Sequence, residues 1–189
     1  MPKKSGNLSK DLYKKQGFFR RMTNFKDIQE KWQKAWKEKK VFEVDIDKKK
    51  EKFFINTPYP YISGSLHIGH ARAVTEVDVY SRFQRMRGKN VLFPMAFHIS
   101  GMPVLGISLG IKNGDEKKIA QYEEYVSAYV SDKKEVTRIV KSFEDPWNIV
   151  HFFIPKMKEE YSSLGLAVDW RRSFTSGDVE HQKLVEWQF

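Results

Sequence analysis

Two histidines, His67 and His70, stand three residues apart with Gly69 between them. They follow a proline- and glycine-rich loop and open a stretch of helical spacing, so both imidazoles are expected on one face of a first helical turn. The amides and the dipole at such a turn attract phosphate. Imidazole donors can add hydrogen bonds to phosphoryl oxygens as charge develops in a transition state. The pattern therefore favours a nucleotide site over two helix-capping histidines of purely structural role.

The elements that must position these histidines predict an α/β unit. Phe53-Phe54-Ile55 is a short apolar run typical of a buried strand, and Asn90-Val91-Leu92-Phe93-Pro94 is a second such run. Between them, residues 67–87 have helical spacing. The apolar positions of that helix recur at spacings of four and three: Val79, Phe83 and Met86. A strand, a loop, a helix and a strand in this order predict parallel strands joined by a right-handed crossover.

The remainder of the chain is predicted to be mainly helical. Residues 101–165 are expected to be mostly helix, with Asp145-Pro146 opening the last helix and Gly165 ending it. Residues 168–174 are expected to be extended, and a helical pattern resumes over 178–189. Before the first strand, Asn24 is placed to cap a helix. Its apolar stripe is expected to pack onto the following domain: Phe25, Ile28, Trp32 and Trp36.

Composition and charge exclude several classes of protein. The 189 residues carry a net charge of +10 and no cysteine, which excludes a disulfide scaffold, a cysteine nucleophile and a thiolate zinc site. The five histidines form no metal-binding spacing, so no resident metal is expected. No apolar run is long enough to span a membrane and no secretion signal is evident, so a cytoplasmic location is expected.

The positive charge is concentrated at the front of the chain. Residues 1–52 contain 17 Lys and Arg against 8 Asp and Glu, whereas residues 53–189 contain 17 against 16. Residues 1–23 are interpreted as a loose basic extension. Attraction to a polyanion such as RNA and a merely solvated tail are equally good explanations of it.

Residues 58–72, which contain the two histidines, resemble the first signature of class I aminoacyl-tRNA synthetases. Among these the sequence is most similar to leucyl-tRNA synthetases of the archaeal and eukaryotic cytosolic type. Residues 90–103 resemble the second strand and amino-acid-pocket loop of that family, and residues 168–175 resemble the segment that leads to its editing domain. The similarity extends over residues 24–189.

The resemblance implies a Rossmann-like α/β domain that activates leucine with ATP and transfers it to tRNA(Leu). Magnesium would arrive bound to ATP, and no zinc is expected. His67 and His70 would be catalytic. The residues carried over to ATP binding are Ser63, Gly64, His67, Gly69 and His70. Those carried over to leucine binding are Tyr59, Tyr61 and His98. A neutral His98 would accept a hydrogen bond from the substrate ammonium, whereas a protonated one would repel it.

The sequence departs from this family in what it lacks. The lysine loop of KMSKS type is absent, and Lys156-Met157-Lys158 is expected to lie in mid-helix. The editing and anticodon-binding domains are absent too. The chain is therefore expected to be an N-terminal fragment with an incomplete nucleotide-binding fold, inactive alone. Its expected parts are a helix and linker over 24–52, a first α/β unit with the histidines over 53–95, and a mostly helical part over 96–189.

Two other functions stay open from the residues. A small nucleotidylyltransferase also uses an H-x-G-H turn, although the doubled Pro-Tyr at residues 58–61 argues against it. A non-catalytic RNA-binding paralogue would use the basic extension instead. ATP binding that depends on His67 and His70 would exclude the paralogue, and dependence on leucine would exclude the nucleotidylyltransferase.

Overall fold

The structure is a computed structural model that describes residues 24–189. The basic extension predicted for residues 1–23 lies outside the described residues. Contacts divide the chain into two compact units, Met1–Val41 and Phe42–Phe189. Over the described part of the chain, no helix is both long and apolar enough to cross a membrane.

In the first unit, the described residues form helix α1 (Phe25–Glu38). Asn24 caps α1 as predicted, since its side chain accepts a hydrogen bond from the Lys26 amide at 3.1 Å. Asp27 lies in the first turn, where a negative charge complements the helix dipole. No residue of α1 is buried. The packing role of its tryptophans stays a prediction.

The second unit is an α/β arrangement of short strands and longer helices. Its elements in chain order are β1 (Lys52–Phe54), α2 (Ile68–Met86), β2 (Asn90–Leu92), β3 (Ala96–Phe97), α3 (Met102–Lys112), α4 (Glu116–Ser127), α5 (Lys133–Ser142), α6 (Pro146–Ser163), a 3-10 turn (Trp170–Arg172), β4 (Phe174–Thr175) and α7 (Val179–Gln188). The prediction that residues 101–165 are mostly helical is confirmed.

Strands β1 and β2 form a parallel pair in which Phe53 lies opposite Val91. Helix α2 connects them, which confirms the predicted strand, loop, helix and strand with parallel strands. The prediction that the first strand is buried is wrong, because Phe54 is 61% exposed. Among the described residues, β1 pairs with a strand along one edge only, and its other edge has no neighbouring strand.

Strands β3 and β4 form a second parallel pair in which Ala96 lies opposite Phe174. The prediction that residues 168–174 are extended is wrong for Trp170–Arg172, which form the 3-10 turn, whereas Ser173 is extended and Phe174 begins β4. The Asp169 carboxylate accepts a hydrogen bond from the Arg171 amide at 3.2 Å and thereby starts the 3-10 turn. An aspartate that bonds to the amide two residues ahead competes with extended backbone.

An aspartate cap and a glycine determine where α6 begins and ends. Asp145 accepts a hydrogen bond from the Trp147 amide at 2.9 Å, and Pro146 follows as the first residue of α6. Gly165 has a φ of 73° just beyond the end of α6, as predicted. The largest fully buried side chains lie in or beside β2, β3 and the packed helices and in the loop before α2: Phe93, Phe97, Phe143, Phe153, Ile62, Met95, Ile149 and Met157.

Helix α2 faces the rest of the unit with polar side chains. The helix predicted for residues 67–87 is confirmed, but Val79 and Phe83 of its apolar stripe are exposed. The buried residues are Val74 and three polar ones, Asp78, Ser81 and Gln84. Burial of polar groups requires hydrogen-bond partners.

Asp78 finds those partners in the loop that follows α6. Its Oδ1 accepts a hydrogen bond from the Ala167 amide at 2.5 Å, and its Oδ2 accepts one from Arg82 Nε at 2.7 Å. Arg82 also donates to the Gly165 carbonyl at 2.5 Å. Arg85 donates to the Ala167 carbonyl at 2.9 Å, and burial lowers the pKa of its guanidinium to about 10. These contacts attach α2 to residues 165–167.

Asp169 attaches the same loop to other parts of the unit. It is fully buried, its amide donates to the Phe93 carbonyl at 2.9 Å, and its Oδ2 accepts from the Val44 amide at 3.0 Å. Burial disfavours its charged form, but hydrogen bonds from Arg171 and from the Val44 amide outweigh that effect and lower the carboxyl pKa. Through its carboxylate and its amide, Asp169 thus connects Val44, which precedes β1, to Phe93, which follows β2.

We expect Asp78→Ala to lower the free energy of unfolding by about 3 kcal/mol, because it leaves the buried Ala167 amide without its acceptor and removes the carboxylate that pairs with Arg82. The matched control is Glu76→Ala on the exposed side of the same helix, where the ion pair with Arg72 is exposed at both ends. That control should change stability by no more than about 0.5 kcal/mol. Urea unfolding followed by circular dichroism measures both; equal losses would contradict the anchoring role of Asp78.

Candidate active site

The two histidines form a reciprocal cap at the start of α2. His67 is the N-cap residue, and its Nδ1 accepts a hydrogen bond from the Gly69 amide at 3.0 Å. His70 Nδ1 in turn accepts one from the His67 amide at 3.2 Å. The rings lie 4.0 Å apart between centroids. This is the arrangement of a capping box, made here with imidazoles in place of a hydroxyl and a carboxylate.

The cap determines which ring nitrogen carries hydrogen. A nitrogen that accepts a hydrogen bond cannot carry a proton, so Nδ1 is bare in both His67 and His70. In the neutral rings the hydrogen must then reside on Nε2. Protonation of either ring would replace an acceptor by a donor and break the cap. The turn therefore holds two neutral imidazoles, each with one N–H donor to offer.

The same cap uses backbone groups that were expected to bind phosphate. The Gly69 amide is taken by His67 Nδ1, and the His70 amide donates to the His67 carbonyl at 2.9 Å. The expectation of open first-turn amides is wrong for these two residues. The dipole of α2 and the two Nε2–H groups are what the turn can offer to an anion.

The pKa of His70 is lowered from its ordinary value. Burial disfavours the charged ring, and the neighbouring His67 would repel a second positive charge. Both causes favour the neutral form that the cap requires. Geometry and electrostatics thus select the same protonation state.

Gly69 leaves the space that the His67 ring occupies. A Cβ at residue 69 would lie 2.8 Å from His67 Cε1 and 3.0 Å from Nδ1, closer than such atoms pack. The family resemblance assigned Gly69 to ATP binding. The structure adds a requirement within the chain, because a side chain at this position would displace the capping imidazole.

Ser63 and Gly64, the other two residues predicted to bind ATP, are held by tyrosines of α4. Tyr122 donates its hydroxyl hydrogen to the Ser63 carbonyl at 2.5 Å, and burial raises the pKa of Tyr122. Gly64 has a φ of 144°, and a Cβ there would lie 2.6 Å from Tyr125 Cε2. Sequence reasoning missed these supports, although their spacing of three on a helical pattern was the available signal.

An open depression lies beside His67. It is lined from α2 and the loop before it by Leu66, His67, Ile68 and Ala71, and from the C-terminal end of α6 and just beyond by Glu160, Tyr161, Ser163 and Leu164. Glu160 accepts a hydrogen bond from the Tyr129 hydroxyl at 2.6 Å. Burial and this bond raise the pKa of Tyr129 to about 12. The end of α6 thus places the Glu160 carboxylate in the same depression as His67, and no sequence motif indicated this.

The residues predicted to bind leucine fall into two groups. Tyr61 and His98 pair through a parallel bridge, in which the His98 amide donates to the Pro60 carbonyl at 2.9 Å. Their rings stack with centroids 4.2 Å apart. Tyr59 instead meets the edge of Phe174, with ring centroids 5.5 Å apart. Phe174, at the start of β4, thus packs against a predicted leucine-binding residue, which the sequence did not indicate.

The arrangement is suited to polar recognition of a ligand. In the described part of the chain, no three His, Asp or Glu side chains come together to hold a metal ion. The candidate site itself supplies imidazole N–H groups, aromatic faces and the positive end of α2.

Comparison with known proteins places this geometry in a family. The family model described as tRNA synthetases class I (I, L, M and V) matches residues 31–189. This chain belongs to that family. The matched range contains every residue predicted here for the site, and the predicted α/β class is confirmed.

The similar members of the class I family are leucine–tRNA ligases. The chain is 50% identical over 170 residues to the leucine–tRNA ligase of Pyrococcus horikoshii and 45% identical over 164 residues to that of Staphylothermus marinus. These matches cover 88% and 87% of this chain but 17% of each relative. The chain thus spans about a sixth of the length of the relatives it matches.

A solved structure of the family shows the same fold. It is the agnB2 LeuRS of Agrobacterium radiobacter K84 in a ternary complex with tRNA and LeuAMS. The match has a TM-score of 0.55 and 25% sequence identity, and it covers 84% of this chain and 17% of that chain. The incomplete Rossmann-like fold expected from the sequence is therefore confirmed.

We expect His70 to titrate below the midpoint of a histidine in a model peptide. A base with a lowered pKa is protonated first in the unfolded state, so its contribution leaves stability constant above about pH 6.5 and lowers stability as the pH falls below that. His67→Asn removes the ring whose charged form would repel a protonated His70, so it should raise the midpoint of His70. Titration of the imidazole Cε1–H signals by NMR measures it; a midpoint at or above the peptide value would contradict the geometry.

We expect Gly69→Ala to displace the His67 ring without unfolding α2, because alanine favours helix while its methyl group collides with the imidazole. The His67 imidazole signals should move in NMR spectra, and the Gly69→Ala chain should keep its helix content. Gly106→Ala on α3 is the matched control, since no atom lies within 4 Å of a Cβ at that position. Unmoved His67 signals in Gly69→Ala would show that the ring does not need the space.

Proposed function

We propose that this chain supplies the ATP side and part of the leucine side of a leucine–tRNA ligase active site in the cytoplasm. The observation that carries the proposal is the imidazole capping box, which presents two neutral N–H donors at the start of α2. It is supported by leucine–tRNA ligases at 42–50% identity over most of this chain. Ser63, Gly64 and Gly69 would complete the nucleotide side.

In the proposed reaction, a leucine carboxylate oxygen attacks the α-phosphorus of ATP. A new oxygen–phosphorus bond forms, the bond to the pyrophosphate oxygen breaks, and leucyl-adenylate and pyrophosphate result. The Nε2–H groups of His67 and His70 would donate to phosphate oxygens, whose charge they stabilise better as it grows in the transition state. The leucyl group then passes from the adenylate to the terminal adenosine of tRNA(Leu).

Neutral histidines suit this task. Catalysis of such a transfer depends mainly on positioning and on stabilisation of charge. Donors fixed in direction by the cap lose little freedom when the phosphates arrive, because each Nδ1 already has a partner within the turn. Magnesium would accompany ATP and help to neutralise the pyrophosphate. Leucine would lie against the stacked rings of Tyr61 and His98 and the edge-packed Tyr59.

The remaining catalytic groups would have to come from outside these residues. Lys156 and Lys158 lie inside α6, as predicted, and Lys156 pairs with Glu159 at 3.5 Å. They are therefore not a mobile lysine loop that could clamp pyrophosphate. We expect no leucine-dependent ATP–pyrophosphate exchange by residues 1–189 alone.

We expect His70→Ala to lower leucyl-adenylate formation at least tenfold. The test replaces the matching segment of the Pyrococcus horikoshii leucine–tRNA ligase by residues 24–189 and measures leucine-dependent ATP–pyrophosphate exchange. One hydrogen bond to a charged group accounts for a factor of this size. His151→Ala is the matched control, because His151 lies exposed on α6 and stacks only on Trp147 among the contacts described for it.

The outcomes separate the alternatives. Unchanged exchange in His70→Ala would contradict the proposed role of the capping box. Exchange that needs no leucine would favour a nucleotidylyltransferase. ATP binding that is insensitive to both histidines would favour a non-catalytic paralogue.

A further inference from the structure

Ser176 sits at the centre of a hydrogen-bond chain that reaches His98. Its Oγ accepts from the Ile99 amide at 2.9 Å and from the Ser100 amide at 3.2 Å. The same Oγ lies 3.2 Å from Ser100 Oγ. Ser100 Oγ lies 3.5 Å from His98 Nδ1. A serine 78 residues away in sequence thus contacts the loop that carries His98.

The two amides determine the direction of the protons along this chain. A hydroxyl oxygen has two lone pairs, and the Ser176 oxygen uses both on the Ile99 and Ser100 amides. Its own hydrogen must then be donated, and Ser100 Oγ is the acceptor at hand. The Ser100 hydroxyl, having accepted, still has its own hydrogen to donate. When it donates to His98 Nδ1, the hydrogen of the neutral His98 ring resides on Nε2.

The turn that presents Ser176 is itself fixed. The Asp178 carboxylate accepts from the Thr175 amide at 3.0 Å and from the Thr175 hydroxyl at 2.6 Å. Gln182 donates to the Ser176 carbonyl at 2.5 Å. The Ser176 amide donates to the Phe97 carbonyl at 3.0 Å. Strand pairing and the start of α7 thus hold the Ser176 hydroxyl in place before any ligand arrives.

We propose that Ser176 is a positioning residue that sets His98 as a hydrogen-bond donor, so that His98 faces an acceptor oxygen of the amino acid. This rests on the proposed function of the site. The sequence alone led to the opposite expectation, in which a neutral His98 accepts from the ammonium. Among the described residues none forms a hydrogen bond with Nε2, and an N–H there repels ammonium but suits a carboxylate oxygen.

The test uses the 189-residue chain with ¹⁵N-labelled histidine. Long-range ¹H–¹⁵N spectra report which nitrogen of His98 carries the hydrogen. The spectrum of the unsubstituted chain should show hydrogen on Nε2 and a hydrogen-bonded Nδ1, and Ser176→Ala should show a mixture of both tautomers. Ser176→Thr keeps the hydroxyl and should restore the original spectrum. Ser142→Ala, which removes an exposed hydroxyl on α5, is the matched control.

The ligand contact is tested in the Pyrococcus horikoshii chimera described above. Its two probes are leucine and 3-methylbutan-1-amine, which has the same side chain and ammonium but no carboxylate. Ser176→Ala should weaken leucine binding about tenfold, the value of one charge-assisted hydrogen bond, and should change amine binding less than twofold. Ser100→Ala should do the same and serves as the second variant if Ser176→Ala does not fold.

Three results would overturn the inference. They are an unchanged His98 tautomer in a folded Ser176→Ala chain, failure of Ser176→Thr to restore the spectrum, and equal weakening of leucine and amine. If the unsubstituted chimera binds neither probe, the proposed leucine site is contradicted. In that case the tautomer comparison still decides whether Ser176 orients His98, so the two failures are distinguishable.

Discussion

The hydrogen bond between the buried carboxylate of Asp78 and the Ala167 amide determines the rotation of α2, and with it the direction in which the two capping histidines face. Helix α2 presents polar side chains to its unit, so apolar packing alone does not set its rotation. A hydrogen bond is directional, and this one is reinforced by Arg82 and Arg85 on the same face. The histidine cap begins eleven residues before Asp78, at the start of the same helix. Rotation of α2 would therefore turn both imidazoles away together.

A second constraint concerns the histidines of the candidate site. His67 and His70 each accept a hydrogen bond from a backbone amide with Nδ1, and in the proposed arrangement His98 accepts one from the Ser100 hydroxyl. Each neutral ring then keeps its hydrogen on Nε2. A site built from neutral donors can stabilise phosphate or carboxylate oxygens without placing fixed positive charges beside one another. The lowered pKa of His70 agrees with this, since burial disfavours its charged form and His67 would repel a second positive charge.

Much of this architecture was predictable because its causes are local. Asp145 and Gly165 act on amides and φ angles within a few residues, and the histidine turn follows directly from its spacing. The errors concern distant partners. Phe54 was expected to be buried, and its exposure depends on which strands flank β1. Ser176 bonds to amides some 76 residues away, and no periodicity indicates such a pairing. The resemblance indicated which residues form the candidate site. The positions of the histidine ring hydrogens could be inferred only from the hydrogen bonds in the structure.

Helix α2 buries polar side chains and exposes its predicted apolar stripe, and this determines which substitutions disturb its position. In an ordinary amphipathic helix, the apolar stripe faces the core and contributes most of the packing energy. Here Val79 and Phe83 are exposed, so they contribute little burial in this chain. Burial of Asp78 carries a desolvation cost that only intact hydrogen bonds offset. Loss of one acceptor oxygen should therefore disturb the histidine turn more than loss of a methyl group from the stripe. A reaction that depends on positioning would then be sensitive to a carboxylate that lies away from the reacting atoms.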